Sequence, residues 1–99
     1  MTRAEEAFRY TKTFEDFCSL KVQAMGSGPQ GGDTGHGGWA VVSFEDLGST
    51  NINASIEREH SDRASKITIR VGGDAEMAVL ADALEWAARR LREGGGSTV

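Results

Sequence analysis

The clearest hydrophobic pattern in the chain lies near its end. Met77, Leu80, Leu84, Ala88 and Leu91 recur every three or four residues, the spacing that lines side chains up on one face of an α-helix. Asp74 stands where an N-cap should be, and Glu76 adds negative charge to the first turn. Arg89, Arg90 and Arg92 crowd the last turn, and Gly94 can end the helix in a left-handed conformation. The pattern therefore predicts one long helix whose leucine face covers the core. A shorter stripe of Val79, Ala83 and Trp86 lies opposite, where a two-layer fold would leave it in water. Trp is enriched at interface hot spots, so these three residues are the expected interface of a homodimer.

Upstream the period shortens to two, the signature of half-buried strands. Four segments carry it. Cys18, Leu20, Val22 and Ala24 alternate with polar residues between Phe14 and Met25, and Ala40, Val42 and Phe44 do so in Trp39 to Phe44. Ile52, Ala54 and Ile56 face Asn51, Asn53 and Ser55, and Ile67, Ile69 and Val71 face Lys66, Thr68 and Arg70. Glu45-Asp46-Leu47-Gly48 reads as a turn, and the charged run 57–64 as a hairpin loop. Thr2-Arg3-Ala4-Glu5 fits a capping box ahead of a short helix over Arg3 to Tyr10. Phe8, Tyr10 and Thr11 to Thr13 suit an extended segment equally well, and a docked arm is the third option. The expected class is α+β: a single domain over 1–99, a four-stranded antiparallel β-meander with a C-terminal α-helix packed on one face. Residues 1–13 form an arm or short helix, and 94–99 a disordered tail.

The least ordinary stretch is Gly26 to Gly38, where seven of thirteen residues are glycine. Its plain reading is a flexible connection. Its functional reading is a loop whose backbone amides approach an anion or a partner groove closely, with Asp33, Thr34 and His36 at its centre and Trp39 beside it as partner-binding residues. Gly26-x-Gly28-x-x-Gly31 matches the dinucleotide fingerprint in spelling only, because more glycine follows where a helix should open.

Charge and composition narrow the function. A net charge of −4 argues against general binding to a phosphate backbone, so direct nucleic-acid binding is not expected. The single Cys18 excludes an internal disulfide, and its place in an apolar alternation predicts a buried thiol in a reducing setting. No apolar run is long enough for a membrane helix. His36 and His60 have no zinc-ligand spacing, and no nucleophile stands beside a base, so neither metal, cofactor nor catalysis is expected. What remains is surface. Lys21, Gln23, Trp39, Ser43, Asn51, Asn53, Ser55, Lys66, Thr68 and Arg70 would share the wetted side of one sheet.

At Gly32-Asp33-Thr34-Gly35-His36-Gly37, and again from Gly73 through Trp86 to Ala87, the chain resembles small uncharacterised accessory proteins of phages and prophages. The resemblance implies a mobile-element product of the kind that inhibits host defence stoichiometrically, as anti-CRISPR proteins do. It implies a host protein or ribonucleoprotein as partner and the bacterial cytoplasm as location. It carries over no site residue. Two other readings stand beside it: a nucleotide or signalling-oligonucleotide binder using the glycine loop with Trp39, Lys66 or Arg70, and a structural virion component.

Overall fold

The computed structural model describes residues 5–28, 31, 37–59 and 63–94. In chain order the elements are β1 (Phe8–Glu15), β2 (Ser19–Gly26), β3 (Ala40–Gly48), β4 (Asn53–Arg58), β5 (Ala64–Arg70) and α1 (Asp74–Glu93). The strands form two antiparallel sheets, one ordered β1-β2-β3 and the other β4-β5, and the C-terminal helix packs on the first. The class is α+β as expected. The single four-stranded meander is not what forms.

Two segments account for the difference. Phe8–Glu15 is a strand and not a helix, paired with β2 from Phe8↔Gly26 to Glu15↔Ser19. Its aromatic and threonine residues favour the pleated surface, and alternate aromatics then reach the helix. After β3, the chain crosses the end of the sheet instead of returning along it. Ser49 and Asn51 both adopt left-handed backbone, with φ 62° and 53°. Between them Thr50 is fully buried and donates its hydroxyl to the Ser19 carbonyl oxygen at 2.9 Å. That anchor directs the chain away from β3, so β4 and β5 pair only with each other.

The core is a seam between β2 and α1. Leu20, Val22 and Ala24 on β2 are completely buried, and Val79, Ala83 and Ala87 of the helix cluster with Leu20, Val22 and Cys18. Phe14, Val42, Phe44, Ile52 and Trp86 close the flanks. Cys18 is a buried free thiol, as its place in the alternation predicts.

The helix is rotated relative to its expected orientation. Val79, Ala83 and Ala87, four residues apart, face the sheet, while Met77 and Leu84 stand in solvent and Leu80 and Leu91 are half-buried. Alanines let the helix axis approach the sheet closely, and β1 supplies the bulk that they lack. Going up the strand and down the helix, Phe8 lies against Gly94, Tyr10 against the Arg90 guanidinium at 5.2 Å, and Phe14 edge-on against Trp86 at 6.1 Å. Aromatic pairs and cation–π contacts of this kind add to the area that they bury.

The helix ends also differ from expectation. Gly73, with φ 110°, is the N-cap and Asp74 the first helical residue, so no side chain caps the first turn. Gly94 is extended and not left-handed, its N–H donating to the Arg90 carbonyl oxygen. Its need for glycine is spatial, because a Cβ there would sit 2.6 Å from the Phe8 ring.

Ala83→Leu should lower stability by about 1–3 kcal/mol, since three more heavy side-chain atoms would have to enter a filled seam. Ala81→Leu, at an exposed position of the same helix, should change it by less than about 0.5 kcal/mol. Urea denaturation checks both, and equal costs would contradict the helix orientation.

Candidate interaction surface

At the end of the first sheet, two connections meet. Between β1 and β2 the chain reverses over Asp16-Phe17-Cys18, with the Asp16 N–H donating to the Cys18 carbonyl oxygen at 2.9 Å. Phe17 sits at the tip with φ 61° and 96% of its surface exposed. Both properties are unfavourable: bulky residues rarely adopt left-handed backbone, and an isolated apolar ring gains nothing from water. Beside it runs the connection after β3. Phe17, Ser49 and Asn51 are the non-glycine residues with positive φ among the described residues, and all three belong to these two connections. A shallow concavity of about 280 Å³ lies between the connections, lined by Glu15, Phe17, Cys18, Ser19, Gly48 and Ser49.

Asp46 holds the second connection in place. One carboxylate oxygen accepts the N–H groups of Gly48 at 2.9 Å and Thr50 at 3.2 Å, and the other accepts that of Asn51 at 2.9 Å. Partial desolvation pushes the Asp46 carboxyl upward, but the bonds from Thr50, Asn51 and Gly48 outweigh it and hold the carboxyl below the ordinary aspartate range. An anion that accepts several backbone donors stabilises a loop that no helix or sheet ladder supports.

The second exposed region is the β4–β5 hairpin. All six residues of β4 and all seven of β5 are exposed. The pairing Asn53↔Arg70, Ser55↔Thr68 and Glu57↔Lys66 makes one polar face, with Glu57 and Lys66 ion-paired at 3.8 Å. Ala54↔Ile69 and Ile56↔Ile67 make an apolar face that no described residue covers.

The residues singled out from the sequence fare differently. Asp33, Thr34 and His36 lie outside the described residues. Trp39 is half-buried at the base of the glycine loop, its N–H donating to the Ser27 hydroxyl oxygen at 3.0 Å and its carbonyl accepting the Ser27 N–H at 3.1 Å. The backbones here are so close that a Cβ on Gly26 would overlap the Trp39 carbonyl oxygen, and one on Gly38 that of Gly28. Two of the loop's glycines thus serve close packing at its base. Val79 and Ala83 are 2% and 0% exposed, so they cannot form a dimer interface, and Trp86 packs on Phe14. The shared polar face is also absent, because Lys66, Thr68 and Arg70 belong to a different sheet from Lys21 and Gln23.

Sequence reasoning missed Phe17 because the segment from Phe14 onward read as one continuous strand. The signal was Glu15-Asp16, two acids that interrupt the alternation where a turn begins. The grip of Asp46 on the residues beyond its own turn had no signal beyond the Asp-x-Gly spelling.

Among the described residues no three His, Cys, Asp or Glu side chains converge to hold a metal ion, and no helix is long and apolar enough to cross a membrane. Comparison with protein-family models, with curated proteins and with solved structures finds no match in any of the three.

Because the Asp46 carboxyl titrates below its unfolded value, its contribution is fully present above the ordinary aspartate range and is lost as pH falls through the folded value. Asp46→Ala should lower the urea midpoint at pH 7 and bring it closer to that of the wild type in strong acid. A midpoint difference that stays constant from pH 7 down to the acid limb would show that the carboxylate charge does not hold the loop.

Proposed function

We propose that this protein is a non-enzymatic inhibitor that binds a macromolecule of host defence stoichiometrically, and that it does so with the end of the first sheet. The observation that carries this reading is Phe17, a fully presented ring on strained backbone. Strain of this kind persists only where the surrounding structure holds it, and it concentrates at sites of function. A large rigid side chain beside a concavity, next to a connection held by a buried threonine and an aspartate clamp, is suited to anchor in a partner pocket. The nature of the partner, a defence protein or ribonucleoprotein, comes from the resemblance to phage accessory proteins.

The test is a plaquing assay. Cells carrying an active defence system and expressing the wild-type protein should lose their resistance to a targeted phage, and the defence complex should co-purify with the protein in fixed ratio. Phe17→Ala should abolish both while leaving the circular dichroism spectrum unchanged. Phe17→Gly should also abolish both, yet stabilise the fold by roughly 1 kcal/mol through relief of the left-handed strain. Failure of the wild type to affect a panel of defence systems, or full activity of Phe17→Ala, would refute the reading.

A further inference from the structure

We propose that the chain is a homodimer in which the β4–β5 hairpin of each protomer lies across the outer face of its partner's α1. The occupant of these surfaces is a second copy, for reasons that concern the hairpin, the helix and their fit.

A two-stranded hairpin is at best marginally stable alone in water, and needs a third strand or a helix against its apolar face. Here that face, with Ala54, Ile56, Ile67 and Ile69, meets neither: every residue of both strands is exposed, Ile67 by 65%. The helix presents the complementary problem. Its inner side is filled by Val79, Ala83 and Ala87, while Met77 and Leu84 stand exposed and Leu80 and Leu91 are half-buried along the same stripe. The outer stripe therefore lacks a sheet, and the apolar sheet face lacks a helix.

The two surfaces match in length. Seven residues of β5 span roughly 20 Å at about 3.3 Å per residue. The fourteen steps from Met77 to Leu91 cover about 21 Å at 1.5 Å each. Within one chain they stay apart, since α1 packs on β2 and β1 and leaves the hairpin uncovered. Across a twofold axis each would meet the other twice, the self-complementary arrangement of a cyclic dimer.

The dimensions agree with a chain that is incomplete alone. Its radius of gyration is 15.2 Å, against about 13 Å for a compact chain of this length. The whole chain exposes 7166 Å², roughly 1,700 Å² above the scaling for a folded monomer of 10.6 kDa. Obligate dimers bury about 1,000–2,500 Å² on each partner; the excess over the whole chain is of that order, and the exposed hairpin with Met77 and Leu84 is its described apolar part. Phe17 and the end of the first sheet take no part in this contact, so the dimer would present two copies of that end.

Sedimentation equilibrium on the purified full chain tests the proposal. The wild type should sediment at about twice 10.6 kDa. Ile67→Glu and Leu84→Lys, both at exposed positions, should each give folded monomers with unchanged circular dichroism. Mixed in equal amounts they should form a heterodimer, because one of its two contacts pairs Glu with Lys and the other restores Ile with Leu. Phe17→Ala should remain dimeric, which separates this proposal from the function of Phe17. A wild-type monomer at 100 μM, dimers that survive both single substitutions, or a mixture that stays monomeric would each overturn it.

Discussion

The close approach of α1 to β2 is the constraint from which the rest of the structure follows. Val79, Ala83 and Ala87 form one buried cluster with Cys18, Leu20 and Val22, and small helix residues at four-residue intervals permit a close approach. A seam so thin buries little apolar area by itself. The fold supplements it with β1, whose Phe8, Tyr10 and Phe14 run alongside the helix and meet Gly94, Arg90 and Trp86 in turn. The choice of inner face also fixes what remains outside, because a helix that turns Val79, Ala83 and Ala87 inward leaves Met77 and Leu84 exposed.

Much of this architecture was legible in the chain. The alternation of Leu20, Val22 and Ala24, the inward Val42 and Phe44, the buried thiol of Cys18 and the span of the helix all stand as the periodicity implies. Periodicity gave both helix stripes but not their order, since hydrophobicity favours leucine for the core while close packing favours alanine. Pattern alone does not show how near two elements come. The same limit hid β1, where aromatic and threonine content had to be weighed against a plausible capping box. It also hid the separation of the hairpin, because the alternation in Asn51 to Glu57 is the same whether the strand joins one sheet or another.

The site was less legible than the fold. Asp33, Thr34 and His36 drew attention by composition, yet the described structure concentrates its unusual geometry elsewhere, at Phe17, Ser49 and Asn51. Backbone conformation is the reason. A positive φ at phenylalanine leaves no mark in a sequence, whereas glycine advertises the possibility of one. At Gly26, Gly38 and Gly94 the glycines answer to crowding by neighbouring atoms and not to backbone freedom.

The hairpin enters and leaves through short connections, residues 49–52 and 71–73, and places no side chain in the seam. Its sequence is thus released from the demands of the core. The strands Asn53–Arg58 and Ala64–Arg70 are open to substitution at a pace set by whatever they touch and not by the seam.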